Sequence, residues 1–194
     1  NQNRCMMYNP FSLTGKTILV TGASSGIGRV VAIECAKMGA SLVITGRDAG
    51  RLDETFALLE GDKHIRVVAD LSKYEDIENL VNQCPPLDGF SNNAGIIKVV
   101  LVKFISREYL GDTLSTNTIA PILLTQLLVK KKKLNRSGSI VYTSSLSGVY
   151  CVHYGESMFA ASKGAVCGFA KGAALDLAAQ NIRVNCVTPG VIKT

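Results

Sequence analysis

The chain has 194 residues, of which 47% are hydrophobic and 19% are charged, and it carries a formal net charge of +6 at pH 7. This length is enough for one domain with a sizeable core. No basic stripe interleaved with aromatic residues indicates nucleic acid, and no apolar run is long enough to cross a bilayer, so we expect neither partner.

Short apolar segments alternate with helical segments along the chain. The predicted strands cover residues 16–21, 41–45, 65–69, 87–91, 138–143 and 183–187. The predicted helices cover residues 26–38, 51–59, 74–83, 110–132 and 157–179. Repeated β-α-β units with right-handed crossovers predict an α/β doubly wound parallel sheet, the three-layer Rossmann fold. We expect a single dinucleotide-binding domain over residues 1–194, with an N-terminal tail at residues 1–12.

A glycine turn follows the first predicted strand. Its sequence is TGASSGIG at residues 21–28, between an apolar run and a helical stretch. Gly22 allows a tight turn, Gly26 lets the backbone approach a phosphate, and Gly28 lets the helix pack closely. The free N–H groups and the positive dipole of the helix would then face the anion. The pattern therefore predicts a pyrophosphate site.

Further motifs follow in a fixed order. They are NNAG at residues 92–95, Asn117, the GSIV strand leading to Ser144-Ser145, FAASK at 159–163, RVN at 183–185 and PGVIKT at 189–194. With the glycine turn, these motifs resemble the classical short-chain dehydrogenase/reductase family, from about Leu13 to the end of the chain. Within that family the pattern is most similar to 3-oxoacyl-carrier-protein reductases and related alcohol or sugar dehydrogenases.

The resemblance implies a catalytic set of Asn117, Ser145, Lys163 and the residue at position 159. In the family a tyrosine donates the proton, and a lysine four residues later lowers its pKa and binds the nicotinamide ribose. A serine polarises the carbonyl, and an asparagine holds a water that relays protons to the lysine. The expected function is therefore transfer of a hydride between NADP(H) and a ketone or alcohol, with a 3-oxoacyl thioester as one candidate.

This chain departs from the family at Phe159, which replaces the tyrosine of the YxxxK motif. A phenyl ring has the right shape but no proton to give, so we expect impaired catalysis. Tyr154 and Tyr150 lie nine and thirteen residues before Lys163 and do not share its helical spacing. Two explanations stay open: a substitution in a reductase scaffold, or a natural non-catalytic member that binds NAD(P) or has a regulatory role.

The end of the second strand favours NADP(H) over NAD(H). An NAD enzyme places an acidic residue there for the ribose 2′-hydroxyl, whereas this chain has Thr45-Gly46-Arg47, and Arg47 can pair with a 2′-phosphate. Asp70 resembles an adenine-edge residue, although a helix N-cap or turn is the alternative. The expected cofactor contacts are Gly22, Ser24, Ser25, Gly26, Ile27, Gly28, Arg47, Asp70, Leu71, Asn93, Ala94, Gly95, Lys163, Pro189, Gly190, Ile192 and Thr194.

Six cysteines show no CxxC pair and no metal-ligand spacing. We expect free thiols in a reducing, cytoplasmic compartment and no metal site. Family members continue past the PG turn with a substrate lid and a final strand, which are absent here. In the family the two long helices pair across subunits, so we expect a homodimer or homotetramer. The substrate's identity is not predicted.

Overall fold

Six parallel strands form one central sheet, which confirms the predicted doubly wound α/β fold. The structure is a computed structural model that describes residues 9–193. The strands are β1 Thr17–Thr21, β2 Ser41–Gly46, β3 Ile65–Val68, β4 Leu87–Asn92, β5 Leu134–Thr143 and β6 Arg183–Val187. Their order is β3-β2-β1-β4-β5-β6, so the chain reverses its direction of winding between β1 and β4. In such sheets ligands bind outside the carboxyl ends of the strands at this switch point.

Helices cover both faces of the sheet. They are α1 Gly26–Lys37, α2 Ala49–Phe56, α3 Tyr74–Gln83, α4 Arg107–Leu114, α5 Ala120–Lys130 and α6 Ser157–Leu177. One apolar cluster packs α3, α5 and α6 against one face, with Phe90 and Tyr142 fully buried. A second cluster packs α1 and α2 against the other face around Val20 and Ile44. Among the described residues, no helix is long and apolar enough to cross a membrane.

The helix predicted at residues 110–132 has a different form in the structure. It begins earlier, because the Ser106 hydroxyl accepts a hydrogen bond from the amide of Tyr109 and caps α4. Between α4 and α5 the backbone forms a π-helical turn over Ser115–Ile119. Such turns are rare and occur mostly at functional sites. This one contains Asn117, whose side chain turns inward and is 1% exposed.

Strand β5 starts at Leu134, earlier than predicted. The amide of Leu87 donates to the carbonyl of Lys133, which starts the pairing of β4 with β5 ahead of Gly138. The register then shifts between Leu87 and Gly89, where Ser137 adopts a φ of 62°. The sequence pattern around Asn135 and Ser137 is not typical of a strand, which is why the prediction began at residue 138.

Candidate functional site

A cleft of about 630 Å³ runs along the carboxyl edge of the sheet. It extends from the end of β2 and the glycine turn, past the end of β4, to the start of α6 and the segment after β6. Its lining includes these predicted site residues: Gly22, Ser24, Ser25, Gly26, Ile27, Arg47, Asp70, Leu71, Asn93, Ala94, Gly95, Ser145, Phe159, Lys163, Pro189, Gly190 and Ile192. The structure therefore brings one continuous surface together from motifs that lie far apart in sequence.

The glycine turn leaves a cradle that side chains would fill. Gly22 has a φ of 66°, and a Cβ there would lie 2.8 Å from the Cα of Ala94. A Cβ on Gly28 would lie 2.3 Å from the carbonyl oxygen of Gly22. Gly28 is buried beneath the turn rather than lining the cleft. Helix α1 begins at Gly26 without a side-chain cap at Ser25, so its first amides are left for an anion.

Two polar anchors that the sequence analysis missed hold this turn. The hydroxyl of Thr21 accepts hydrogen bonds from the amides of Asn93 and Ala94, at 3.0 and 3.1 Å, and so joins the ends of β1 and β4. Arg29 donates to the carbonyl of Ser24 at 2.8 Å and to the hydroxyl of Thr55 at 2.9 Å. Thr55 is fully buried. Only the position of Thr21 at the strand end gave a signal for this arrangement.

The β2 end of the cleft is cationic. Arg47 and Arg51 both line it and are exposed. Asp48 lines it too, but one carboxylate oxygen accepts the amide of Arg51 at 3.0 Å as the cap of α2. The other oxygen lies 3.7 Å from the Nε of Arg51. Arg51, which the sequence analysis did not select, therefore adds a second cation, while the nearby carboxylate is already occupied.

Asp70 combines its predicted position with its alternative, a turn. Its carboxylate accepts hydrogen bonds from the hydroxyl and the amide of Ser72, at 2.8 and 3.1 Å. These bonds, with smaller contributions from the charges of Lys73 and Arg47, lower the pKa of the Asp70 carboxyl. Asp70 thus shapes the loop after β3 and still lines the cleft.

At the opposite end, Lys163 is a buried ammonium group. It is 6% exposed, and its Nζ donates to the carbonyl of Thr143 at 2.7 Å. The hydroxyl of Ser144 donates to the carbonyl of Lys163 at 2.9 Å, which ties α6 to the end of β5 a second time. Burial disfavours the charged form and lowers the pKa of Lys163 to about 8, against smaller opposing effects of Cys167 and Cys186.

Asn117 reaches the same place from below. Its amide nitrogen donates to the carbonyl of Ile96 and to the hydroxyl of Ser162, and its oxygen accepts the amide of Ile96 at 2.8 Å. A Cβ on Gly95 would lie 3.2 Å from the Asn117 oxygen and 3.3 Å from the Lys163 nitrogen. Asn117 does not itself line the cleft, whereas its neighbour Thr116 does. Its side chain therefore fixes the loop after β4 beside Lys163.

Ser145 lines the cleft and keeps hydrogen-bonding capacity. Its hydroxyl oxygen accepts the amide of Ser147 at 3.1 Å, which leaves one lone pair and the hydroxyl hydrogen. Ser147 in turn donates to the carboxylate of Glu156 at 2.7 Å. This pair braces the loop between β5 and α6.

Phe159 occupies the cleft where the family motif has its tyrosine. The Nζ of Lys163 lies 5.8 Å from the centre of the Phe159 ring. Tyr150 and Tyr154 do not line the cleft and are 76% and 85% exposed. Neither tyrosine is placed to substitute for position 159.

The residues present fit a dinucleotide. The glycine cradle and the uncapped amides of α1 suit a pyrophosphate, the arginines suit a phosphate, and Lys163 suits ribose hydroxyls. Thr194 lies outside the described residues. Within residues 9–193, no group of three or more His, Cys, Asp or Glu side chains is arranged to hold a metal ion.

The family model for short chain dehydrogenases matches residues 16–194. The chain is 34% identical over 182 residues to 3-oxoacyl-[acyl-carrier-protein] reductase of Rickettsia felis, covering 94% of this chain and 75% of that protein. It is 35% identical over 188 residues to the reductase of the same name from Thermotoga maritima, covering 94% and 76%. It is also 34% identical to dehydrogenase/reductase SDR family member 4 of Homo sapiens, covering 94% and 68%.

Solved structures give the same picture. A Serratia marcescens short-chain dehydrogenase/reductase superposes with a TM-score of 0.88 at 28% identity, covering 94% of this chain and 76% of that one. A dehydrogenase/reductase from Sinorhizobium meliloti superposes with a TM-score of 0.84 at 30% identity, covering 93% and 73%.

The buried charge of Lys163 predicts a pH-dependent stability. The folded pKa of about 8 lies below the ordinary value of 10.5, so the unfolded chain binds more protons between these pH values. Stability from this group therefore rises with pH across that window, by up to about 3 kcal/mol. Urea unfolding should show wild type gaining on Lys163→Met from pH 8 to pH 10, with no such gain over Lys171→Met, an exposed control on α6. Parallel curves for Lys163→Met and wild type would contradict the burial.

Proposed function

Because the chain belongs to the short-chain dehydrogenase family, whose members are NAD(P)-dependent oxidoreductases of hydroxyl and carbonyl groups, we propose that it binds NADP(H) and acts on a ketone or alcohol. A 3-oxoacyl thioester is the first candidate substrate, since the relatives from Rickettsia felis and Thermotoga maritima carry that name. The observation that carries the proposal is the shared cleft: the glycine cradle, Arg47, Ser145 and Lys163 all line it.

The preference for NADP(H) rests on the charges at the end of β2. Arg47 and Arg51 offer guanidinium groups to a 2′-phosphate, and a phosphate–arginine pair is a strong charge-assisted contact. Asp48 would repel that phosphate, but its carboxylate caps α2 and faces Arg51. The balance of this end of the cleft is therefore cationic.

At the other end, Ser145 is placed to donate to a carbonyl oxygen, and Lys163 to hold ribose hydroxyls. When bound, the dinucleotide supplies the hydride. An alkoxide formed by hydride addition needs a proton, which a positioned acid supplies in the family. Phe159 cannot supply it, so we expect slow ketone reduction by the chain as it stands.

A second candidate function follows from the same ring: a non-catalytic NAD(P)-binding or regulatory protein. Phe159 fills the position of the acid without its hydroxyl, and the exposed tyrosines nearby do not line the cleft. Restoration of activity by a hydroxyl at position 159 separates the two functions. We propose the cytoplasm as the compartment, since the cysteines of the described residues are free thiols.

We also propose a homo-oligomer built on α4, α5 and α6. Leu175 on α6 is 80% exposed, and Ile119 between α4 and α5 is 49% exposed. A Cβ on Gly168 or Gly172 of α6 would meet nothing within 4 Å, so another helix has room to approach there. An apolar helical surface of this kind is typical of an interface.

Arg47→Ala should reduce the preference for NADPH over NADH by about tenfold or more, because one charge-assisted hydrogen bond to phosphate is worth roughly 1.5–3 kcal/mol. Fluorescence titration with both cofactors measures this ratio, with Arg136→Ala as a control outside the cleft. Equal affinity of the unmodified protein for both cofactors, or an NADPH preference unaffected by Arg47→Ala, would refute the role of Arg47.

Phe159→Tyr should raise ketone reduction by about 10²- to 10⁴-fold, the usual contribution of a positioned general acid. The rings are the same size, so we expect little change in stability or in NADPH affinity. NADPH oxidation with 3-oxoacyl thioesters and small ketones measures the gain, and Phe56→Tyr is the matched control. An inert Phe159→Tyr protein that binds NADPH normally would favour the non-catalytic function.

Light scattering should show a dimer or tetramer at micromolar concentration. Leu175→Glu places a charge in the proposed interface and should shift the protein toward monomer. Val30→Glu, at an exposed position of α1, should leave the mass unchanged. A monomer before any substitution would rule out this interface.

A further inference from the structure

The carbonyl end of the cleft lacks a free proton donor of the usual kind. Phe159 presents a hydrocarbon ring, and Ser145 and Thr116 present hydroxyls that ionise poorly. Lys163 is the one cation at this end among the described residues, but its Nζ is 6% exposed and bound to the carbonyl of Thr143. The hydride-transfer apparatus of the cleft is thus separated from a proton supply.

Some hydride acceptors need no proton. A ketone that takes a hydride at carbon becomes an alkoxide, which must then be protonated. An iminium ion that takes a hydride at carbon becomes a neutral amine, because the C=N π pair becomes the nitrogen lone pair. Iminium ion and reduced dinucleotide therefore give amine and oxidised dinucleotide, with atoms and charge balanced and no acid required.

We propose that this cleft reduces iminium ions, that is, protonated or N-alkylated imines. The proposal rests on the dinucleotide site proposed above but goes beyond ketone reduction, because it gives Phe159 a positive role. The absent hydroxyl costs nothing with such a substrate.

The ring also offers a binding contact for a cation. Aromatic faces attract cations within about 6 Å of the ring centre, and the Nζ of Lys163 already lies 5.8 Å from that of Phe159. A planar iminium ion could lie against the other face. Ser145 keeps a lone pair for the N–H of a protonated imine.

Charges around the ring act in both directions. The Glu156 carboxylate lies on the adjoining turn of the same helix segment, where Ser147 holds it. Lys163 repels a second cation, but burial lowers its pKa to about 8, so this repulsion weakens as pH rises past that value. We therefore expect the site to tolerate a cationic substrate best in mildly alkaline solution.

The test compares an N-methyl-dihydroisoquinolinium ion with tetralone, a ketone of similar size, at saturating NADPH. The Phe159 protein should reduce the iminium ion and leave tetralone almost untouched. In Phe159→Tyr the ratio of iminium to ketone rates should fall by about 10²- to 10⁴-fold, because the ketone rate rises. Phe56→Tyr should keep the ratio of the unmodified protein.

A binding measurement without turnover complements the rates. Calorimetry with a saturated quaternary ion, N,N-dimethyl-tetrahydroisoquinolinium, should show binding that Phe159→Leu weakens by roughly 2- to 5-fold, since leucine has no π face. Phe56→Leu should bind the ion as the unmodified protein does. No binding of the ion, or equal binding by Phe159→Leu, would overturn the proposal.

The two proposals fail separately. If Phe159→Tyr reduces tetralone while the unmodified protein does not reduce the iminium ion, ketone chemistry stands and the iminium proposal is wrong. If the iminium ion is reduced and no variant reduces a ketone, the iminium proposal stands alone. If NADPH does not bind, both are wrong.

Discussion

A buried lysine is the constraint on which the candidate site depends. The Nζ of Lys163 gives up water for one carbonyl of β5, that of Thr143, and its own carbonyl is held by Ser144. These bonds fix the start of α6 against the end of β5, and so they place Phe159 in the cleft. A buried charge is costly unless it is paired or hydrogen-bonded. Its retention here, beside glycine-lined backbone and next to Asn117, is typical of a site kept for binding or chemistry.

The sheet order explains how distant motifs meet. Because winding reverses between β1 and β4, the loops after these strands diverge and leave a crevice between them. Thr21 sets the distance between the two strand ends through the amides of Asn93 and Ala94. The glycine turn on one side and Gly95 on the other then leave backbone surfaces close enough to hold an extended dinucleotide. The cationic β2 end and the buried lysine lie at opposite ends of this crevice.

Much of this arrangement was predictable. Apolar runs and glycine punctuation indicated all six strands, and their carboxyl ends had to meet at one edge of the sheet. The helical spacing of Phe159 and Lys163 placed both on one face of α6. The π turn around Asn117 was not predictable, because it depends on hydrogen bonds to Ile96 and Ser162, which are distant in sequence. The same holds for Arg51, whose place in the cleft depends on how α2 packs, and for Arg29, whose partners come from two other segments.

Calorimetric titration of NADPH into the protein and into Lys163→Met tests the central claim, that the buried lysine organises a dinucleotide site, most directly. The account predicts binding to the unmodified protein that Lys163→Met weakens by roughly 10- to 100-fold, the loss of a hydrogen-bonded charge. Lys171→Met, on the exposed face of the same helix, should bind like the unmodified protein. Absence of binding, or equal affinity of Lys163→Met and Lys171→Met, would contradict the account.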